Sequence, residues 1–290
     1  MKINRIRPED HTFTRKLGEI SDAPQRINYI GQLPDESLPV VAVVGSRKPT
    51  RYGIEVTQRL TYDLAKRGVV IVSGLALGID AVAHQAALEA GGKTIAVVTN
   101  ALPDISPRSN LGLAKRIVEN GGAIMSEWGE GDDKLVGKWS FLERNRLVSG
   151  VSDAVLVTEA AAKSGTLNTV GHALNQGREV FAVPGNITSP LSEGCNSLLA
   201  QGAHLAVSAE SILEVIAPEL ILGATTQTKL ALGDNPAENT ILELLASGLR
   251  DGEQLQQKSG LSASDFATAL TMLEINGLVK PLGANQWTTR

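Results

Sequence analysis

The stretch VVAVVGSRKPTRYGIEV, residues 40–56, changes character twice within a short span. Apolar, mostly β-branched residues run up to Gly45, a polar and basic loop follows, and an amphipathic pattern begins near Ile54. A strand that turns into a helix through a glycine-containing loop often binds phosphate, because the free amides of the helix N-terminus point at the anion. The stretch therefore predicts a strand–turn–helix unit with a phosphate site. It leaves open whether that phosphate belongs to a nucleotide or to a nucleic-acid backbone.

Strand and helix patterns alternate from residue 39 to residue 216. The strand candidates are PVVAVVG (39–45), VVIVSG (69–74), TIAVVT (94–99), AIMSE (123–127), AVLVTEA (154–160) and EVFAVPG (179–185). Nearly all are continuous apolar runs, which is typical of parallel strands covered on both faces. The pattern predicts an α/β, doubly wound, mostly parallel sheet that binds its ligands at the carboxyl ends of the strands.

The chain outside this region divides into three further parts. Residues 1–38 show no clear period and are interpreted as an N-terminal extension packed on the sheet domain. Residues 217–236 mix Pro, Gly and Thr and are predicted to be a linker. Residues 237–290 hold three short helical patterns followed by two strand patterns, which is the order of elements in a winged helix.

Composition limits the classes of function. The chain has 290 residues, 42% of them hydrophobic, and a formal net charge of −4, so any nucleic-acid contact must come from a local basic patch. Cys195 is the single cysteine, and no Cys/His cluster has metal-binding spacing. No signal peptide or membrane-spanning run is recognisable. We therefore expect a cytoplasmic protein without a metal or cofactor.

The candidate site residues follow predicted strands or begin helices. The first group is Gly45, Ser46, Arg47 and Lys48, where backbone amides, a hydroxyl and a guanidinium suit phosphate. The loop SGLALGID (73–80) opens a helix but lacks the spacing of a dinucleotide fingerprint. Its Asp80 is a first-turn carboxylate favoured by the helix dipole, and His84 is interpreted as structural. Asn186 and Asn196 are further donors, in the loop PGNITSPLSEGCN.

Two more segments join the candidate site. Residues 135–153 concentrate basic residues beside aromatic ones, a combination that suits single-stranded nucleic acid because cations hold phosphates while rings stack on bases. Its members are Lys138, Trp139, Phe141, Arg144, Asn145 and Arg146. Lys163, Ser164, Gly165 and Thr166 begin a helix directly after a strand and form another anion site. Several phosphate-binding loops at one sheet edge imply an extended anionic ligand, and hence a polymer.

Taken together, the motifs VAVVGSRKPTRYG, IVSGLALGIDAVAH, RNRLVSGVSDAVLVTEA, KSGT, GREVFAVPGNITSPLSEGCN and LLAQGAHL resemble the DNA-processing protein A family, DprA or Smf, over residues 4–216. The resemblance implies a Rossmann-like fold that binds single-stranded DNA, protects incoming DNA in natural transformation and loads the RecA recombinase. It also implies a homodimer through the sheet domain. Gly45, Ser46 and Arg47 match the family's phosphate contact.

The same resemblance extends to the second basic segment, with one departure. Phe141, Arg144, Asn145 and Arg146 match the family's base-contacting segment, and Lys138 and Lys163 are additional backbone contacts by position. The family commonly has Phe-Pro before its Arg-Asn-Arg, whereas this chain has SFLERNR. That difference bears on the contact made by Phe141.

Two other classes of function remain open at this stage. Nucleotide phosphoribohydrolases of the lysine decarboxylase-like superfamily share the Rossmann-like core, but their catalytic carboxylate corresponds to Thr169 here, and Glu159 is the only nearby substitute. A threonine cannot act as a carboxylate base, so we expect a protein that is not an enzyme. The third class is an interaction module without a nucleic-acid role, which the acidic net charge favours and the clustered arginines oppose.

Overall fold

The continuous apolar runs form the centre of a nine-stranded sheet in a computed structural model, which describes residues 2–34, 38–132, 136–222, 235–283 and 285–289. The strands are β1 (Asn4–Ile6), β2 (Ile27–Gly31), β3 (Val40–Gly45), β4 (Val70–Ser73), β5 (Thr94–Val97), β6 (Ala123–Ser126), β7 (Ala154–Glu159), β8 (Glu179–Ala182) and β9 (His204–Leu205). Their order is β1-β2-β6-β5-β4-β3-β7-β8-β9. The seven strands β6-β5-β4-β3-β7-β8-β9 of this order are parallel to one another. This confirms the predicted α/β, mostly parallel sheet.

Helices cover both faces of the sheet. They are α1 (Arg51–Lys66), α2 (Ile79–Glu89), α3 (Leu111–Glu119), α4 (Lys138–Gly150), α5 (Thr166–Asn175), α6 (Glu193–Ala200), α7 (Ala209–Ile216) and the short α8 (Glu219–Leu222). Along β3, Val41 and Val43 pack into one core cluster while Val40 and Ala42 pack into another. Both faces of the strand are therefore buried, which explains why its sequence is continuously apolar rather than alternating.

The direction of the chain reverses beside β3. It runs outward through β4, β5 and β6, and then returns to β7 on the opposite side of β3. The loops that leave β3 and β7 consequently diverge, and the crevice between them is where doubly wound sheets bind their ligands. The phosphate-binding pattern that follows β3 is thus located at the switch point of the sheet.

The N-terminal extension is part of the sheet. β1 pairs antiparallel with β2, and β2 pairs antiparallel with β6. Between these strands, Leu17 is fully buried against α4, where a Cβ added to Gly150 would lie 2.8 Å from Leu17 Cδ2. The sequence predicted a packed extension but not its strands, because short strands at the antiparallel edge carry little of the apolar pattern that marks the central ones.

The C-terminal unit has the elements expected of a winged helix. Helices α9 (Pro236–Ala246), α10 (Gly252–Ser259) and α11 (Ala263–Ile275) precede the antiparallel hairpin of β10 (Val279–Gly283) and β11 (Gln286–Thr289). Its core includes Ile241, Leu255, Phe266 and Leu273. The chain separates into two compact units, Met1–Ile221 and Leu222–Arg290. The fold class predicted for this region is confirmed.

The predicted linker, residues 217–236, begins with ordered structure. Leu220 and Ile221 of α8 pack against the core of the sheet unit. Residues 223–234 lie outside the described part of the chain. In the described ranges, every helix is too short or too polar to cross a bilayer.

His84 is a buried structural histidine on α2. Thr94 Oγ1 donates to the carbonyl oxygen of Ile71 at 2.8 Å and lies 2.7 Å from His84 Nδ1. Because the hydroxyl proton is already used, Nδ1 must be the donor to Thr94, and the ring is neutral with Nε2 unprotonated. Among the described residues, Nε2 has no hydrogen-bond partner. Burial lowers the pKa of His84 from 6.5 to about 3, and the nearby charge of Arg144 acts in the same direction.

A pH-dependent stability follows from this depressed pKa. The unfolded chain binds a proton at His84 below pH 6.5 and the folded chain does not until about pH 3. The stabilisation is therefore present above pH 6.5 and is lost as the pH falls, with a limiting slope of about 1.4 kcal/mol per pH unit. We expect the free energy of unfolding, measured by urea denaturation, to fall less steeply between pH 6.5 and 4.5 in His84→Gln than in the wild type.

The exposed His204 supplies the control for this experiment. His204→Gln removes one histidine without removing a buried neutral ring, so it should not reduce the slope. Equal slopes in the wild type and in His84→Gln would contradict the assignment of the acid sensitivity to His84.

Candidate nucleic-acid interface

A pocket of about 430 Å³ occupies the crevice at the switch point. Five segments line it: the end of β3 with the turn after it, the loop after β4 with the start of α2, helix α4, the loop after β7 with the start of α5, and the loop after β8. The lining residues are Val44, Gly45, Ser46, Arg47, Gly74, Ala76, Asp80, Phe141, Leu142, Arg144, Asn145, Val148, Ala161, Lys163, Ser164, Gly165, Thr166, Thr169 and Leu191. Most of the residues predicted from sequence are thus brought together in one place.

The turn after β3 is held by its backbone. The N–H of Ser46 donates to the carbonyl oxygen of Glu159 at 2.8 Å, which ties this turn to the end of β7. Gly78, with φ +78°, lies so close that an added Cβ would be 2.4 Å from the carbonyl oxygen of Ser46. The close approach of the two loops therefore requires glycine at position 78. In this turn the Arg47 side chain is exposed and lines the pocket.

Arg47 and Phe141 form one wall of the pocket. The guanidinium carbon of Arg47 lies 5.1 Å from the centroid of the Phe141 ring, within the range of a cation–π interaction. Phe141 is half-buried, whereas Trp139, two residues earlier on α4, is 74% exposed. Neither aromatic ring is a fully buried core residue. The wall combines a cation with an aromatic face, and these are the two groups that a single nucleic-acid strand requires.

Arg144 forms the buried floor of the pocket. Its Nη1 donates to the carbonyl oxygens of Gly74, at 2.8 Å, and of Val97. Gly74 makes room for the group, since a Cβ there would lie 2.5 Å from Nη1. Burial lowers the pKa of Arg144 to about 10, with Asp80 opposing the shift and Arg47 adding to it. A guanidinium with a pKa this high remains charged at neutral pH, so the floor carries a fixed positive charge.

Asp80 brings a negative charge to the pocket, a role that its position in the sequence did not predict. Its carboxylate accepts the backbone N–H groups of Gly74 and Ala76 at 3.1 and 3.2 Å. Burial raises the pKa of Asp80, while the charge of Arg144 and these hydrogen bonds lower it. The helix-dipole interpretation located this carboxylate in the first turn of α2. Its electrostatic interaction with Arg144, 64 positions further along the chain, is one that no local pattern signals.

The loop after β7 is joined to the turn after β3. Ser164 Oγ donates to Thr166 Oγ1 at 2.9 Å, and Thr166 Oγ1 donates to the carbonyl oxygen of Gly45 at 3.1 Å. These bonds fix the start of α5, where Lys163 is exposed. Asn145 also lines the pocket, and its Nδ2 donates to Asn168 Oδ1 at 3.2 Å.

Lys48 and Arg146 are not among the lining residues. Lys48 is exposed in the turn after β3, and Lys138 is the first residue of α4. Arg146 is buried, and it donates from Nη2 to both carboxylate oxygens of Glu127 at 2.9 Å and from Nε to Asp22 at 2.8 Å. The assignment of Arg146 to a phosphate stays a prediction, which this pairing of its guanidinium with two carboxylates disfavours.

The geometry also bears on the alternative of a phosphoribohydrolase. Thr169 lines the pocket at the position of that superfamily's catalytic carboxylate. The carboxylate of Glu159 accepts the backbone N–H of Thr50 at 2.9 Å and its hydroxyl at 2.5 Å. Glu159 lines a different cavity and not this pocket. The proposed substitute for the missing base therefore does not face the site.

A mostly parallel, doubly wound sheet with a basic, aromatic-walled pocket at its switch point defines a protein of the Rossmann-like class. Residues 4–217 match the family model described as DNA recombination-mediator protein A, and residues 225–285 match the DprA winged helix domain. The chain belongs to this DNA recombination-mediator protein A family. The resemblance drawn from the motifs is confirmed.

Individual relatives agree with the family assignment. The chain is 41% identical to protein Smf of Escherichia coli over 285 residues, which cover 94% of this chain and 74% of that protein. It is 42% identical to DNA processing protein DprA of Streptococcus pneumoniae over 204 residues, 70% of this chain and 71% of the relative.

Solved structures are similar in the same way. The X-ray structure of the Streptococcus pneumoniae protein has a TM-score of 0.68 and 40% identity, and the match covers 74% of this chain and 75% of that one. The structure of DNA processing protein A from Helicobacter pylori, whose description concerns its single-stranded DNA binding mode, has a TM-score of 0.62 and 31% identity. That match covers 74% of this chain and 95% of that one.

The pairing of Arg146 yields a prediction that separates structure from binding. Arg146→Ala leaves Glu127 without its guanidinium partner, and hydrogen bonds to charged groups contribute about 1.5–3 kcal/mol each. We expect a loss of stability of this order in urea denaturation. The salt dependence of oligonucleotide affinity should remain as in the wild type, because no phosphate contact is removed. A flatter salt dependence with unchanged stability would restore Arg146 to the binding site.

Proposed function

We propose that this protein binds single-stranded DNA in the switch-point pocket, with a backbone phosphate beside Arg47 and an unpaired base against Phe141. The observation that carries this proposal is the wall in which an exposed guanidinium lies 5.1 Å from an aromatic ring above a buried arginine. The description of the Helicobacter pylori relative, which concerns single-stranded DNA binding, supports the same ligand.

The charges of the pocket favour phosphate even though the chain as a whole is acidic. Arg47, Arg144 and Lys163 contribute positive charge, and Asp80 contributes negative charge. Arg144 cannot move toward the ligand because Gly74 and Val97 hold it. It acts through the field of a desolvated charge, which is screened less than a charge in water. Arg47 is exposed and supplies the direct fork of donors to the phosphate.

The aromatic component favours a single strand over a duplex. Every base has a flat face, so stacking on Phe141 tolerates any sequence, but that face is available only when the base is not stacked in a duplex. A free phosphate or nucleotide would not need a pocket to which five segments of the sheet edge contribute. An extended polymer makes use of all of them.

The cellular role that we propose follows the family. The protein would protect incoming single-stranded DNA, load the RecA recombinase on it during natural transformation or recombination, and act in the cytoplasm as a homodimer formed through the sheet domain. Sedimentation of the purified chain tests the dimer. A strand-exchange assay, in which RecA meets DNA already covered by a single-strand-binding protein, tests the loading.

Arg47 gives the sharpest test of the binding mode. Arg47→Ala removes a charge-assisted contact, so single-stranded oligonucleotide affinity should fall by about 1.5–3 kcal/mol in a fluorescence anisotropy titration. Arg47→Lys should recover only part of this loss, because a lysine lacks the planar fork. The salt dependence should become shallower by about one phosphate contact in Arg47→Ala.

The exposed Arg59 on α1 provides a control with the same change of charge outside the pocket. Arg59→Ala should leave the affinity within a few tenths of a kcal/mol of the wild type, because surface charges distant from a ligand are largely screened. If Arg47→Ala and Arg59→Ala weaken binding equally, the pocket is not the site of phosphate contact.

The winged-helix unit is proposed to contact protein rather than DNA. Many winged helices read duplex DNA with their third helix, but α11 contains Asp265 and Glu274 and no Lys or Arg. Across residues 229–290 five basic side chains stand against seven acidic ones. Such a surface cannot release the counterions that drive most groove binding.

Truncation tests this assignment. A chain that ends at Gly233 retains the sheet unit and its pocket, so its single-stranded DNA affinity should lie within about twofold of the full chain, a change below 0.5 kcal/mol. Anisotropy titrations of the two proteins in parallel make the comparison. The isolated unit 234–290 should show no retention of duplex DNA at 150 mM salt, and duplex binding by it would contradict the proposal.

A further inference from the structure

A second cavity, of about 420 Å³, lies at the same edge of the sheet and has no role in the function proposed above. Its lining residues are Thr50, Tyr52, Glu159, Pro184, Gly185, Asn186, Ser189 and Ser192. Two loops separate it from the first pocket. In the turn after β3, Arg47 lines the pocket and Thr50 lines the cavity, while in the loop after β8 the change falls between Leu191 and Ser192. A strand that leaves the pocket across these loops therefore enters the second cavity.

The turn between the two cavities carries exposed cations. Arg47, Lys48 and Arg51, which we call the basic ridge, are three positive side chains within five consecutive positions. Neither Lys48 nor Arg51 forms an ion pair with another residue of the described ranges. Cations that are not already paired can neutralise phosphates and release their counterions. The ridge therefore suits a phosphate backbone that crosses from one cavity to the other.

Tyr52 presents an aromatic ring to the second cavity. The residue is 44% exposed, and its hydroxyl donates to the carbonyl oxygen of Pro184 at 2.6 Å, which holds the ring in place. Over the parts of the chain that the structure describes, no cation and no other aromatic ring lies against it. A side chain that is already ordered loses little further freedom on binding. The ring is therefore prepared for a flat ligand.

The carboxylate of the cavity is part of its wall. Glu159 is 2% exposed, and its two oxygens accept the backbone N–H and the hydroxyl of Thr50. Gly53 packs on the same group, since an added Cβ would lie 2.6 Å from Glu159 Oε2. Glu159 therefore fixes the start of α1 and does not read the edge of a base.

The loop after β8 forms another wall and is held by its two asparagines. Asn196 Oδ1 accepts the Gly185 N–H at 3.1 Å, and its Nδ2 donates to the Gly185 carbonyl oxygen at 3.0 Å. Asn186 Oδ1 accepts the backbone N–H and the hydroxyl of Thr188 at 3.0 and 2.9 Å. These amide groups support the loop. The cavity consequently offers a ring face rather than a pattern of donors and acceptors.

We propose that the second cavity is a stacking subsite, in which a further base of the bound strand lies on Tyr52 while the backbone crosses the basic ridge at Lys48 and Arg51. This inference rests on the proposed function, because the base reaches the cavity as part of the bound strand. Stacking on an aromatic ring accepts every base, which fits a cavity whose polar groups are engaged in its walls. It also gives Lys48, which lies outside the first pocket, a phosphate to bind.

Substitutions at Tyr52 separate stacking from the hydrogen bond to Pro184. Fluorescence anisotropy with the full chain measures the affinity for a twelve-nucleotide oligo(dT). Tyr52→Leu removes the ring and should weaken binding about fivefold or more, the factor expected for the loss of one stacked base. Tyr52→Phe keeps the ring without the hydroxyl and should stay within about twofold of the wild type. An equal loss in both variants would overturn the inference, because the hydrogen bond and not the ring would then be responsible.

Tyr62→Leu supplies the matched control on the same helix. Tyr62 is half-buried, lines neither cavity and lies ten residues after Tyr52, which is about 15 Å along α1. The same change of side chain there should leave the affinity within about twofold of the wild type. If Tyr62→Leu weakens binding as much as Tyr52→Leu, the loss reflects altered packing of α1 and the subsite is wrong.

The basic ridge predicts a different signature from the ring. Lys48→Ala and Arg51→Ala should each make the salt dependence of affinity shallower by about one phosphate contact, whereas Tyr52→Leu should leave it as in the wild type. Arg59→Ala, further along α1, again serves as the control for a lost surface charge. A wild-type salt dependence in both Lys48→Ala and Arg51→Ala would overturn the path across the ridge.

Photochemical cross-linking of the wild-type chain decides the matter if Tyr52→Leu does not fold. An oligo(dT) that carries one 5-iododeoxyuridine is irradiated in the complex, and the cross-linked residues are identified by mass spectrometry. Cross-links at both Phe141 and Tyr52 are expected, because each ring contacts a base. Binding without a cross-link at Tyr52 would overturn the subsite, and a cross-link at Phe141 would then leave the proposed function standing. If no oligonucleotide binds, the proposed function itself fails, and the subsite with it.

Discussion

The buried guanidinium of Arg144 is the interaction on which the pocket depends. It donates hydrogen bonds to the carbonyl oxygens of Gly74, which follows β4, and of Val97, which ends β5. These bonds hold helix α4 against the carboxyl edge of the sheet. A charge taken out of water is costly unless it is paired and hydrogen-bonded. Here Asp80 and the two carbonyls offset part of that cost. The pocket floor, the position of Phe141 on α4 and the glycine at position 74 all follow from accommodating this group.

Helix geometry explains why neighbouring arginines of one motif have different roles. Residues two apart on an α-helix point about 200° away from each other. Arg144 therefore faces the sheet edge, while Arg146 faces Glu127 and the N-terminal segment that carries Asp22. The N-terminal strands contribute to this arrangement, because β2 pairs with β6, which ends next to Glu127. Neighbouring arginines of one motif thus have different structural partners, and only Arg144 lines the pocket.

The two cavities at the sheet edge differ in charge. Arg47, Arg144 and Lys163 line the first, while Glu159 lines the second. The backbone bond from Ser46 to the carbonyl of Glu159 connects their walls. Any shift of the turn after β3 consequently affects both cavities. This coupling is a physical reason for the close packing of Gly78 against Ser46.

By itself, the sequence determined the parallel sheet, the switch-point location of the phosphate loops and the winged helix. Apolar runs and helical periods are local signals of burial, and the carboxyl ends of parallel strands meet at one edge. The edge strands β1 and β2 were not predicted, because they are short and their sequences show no clear period. Only the tertiary structure decided which cations are free. Arg144 is buried against Gly74, 70 residues away in the chain, and Arg146 against Asp22, 124 residues away. Contacts of that separation leave no pattern in a local stretch of sequence, so desolvation and pairing become visible only once the chain is folded.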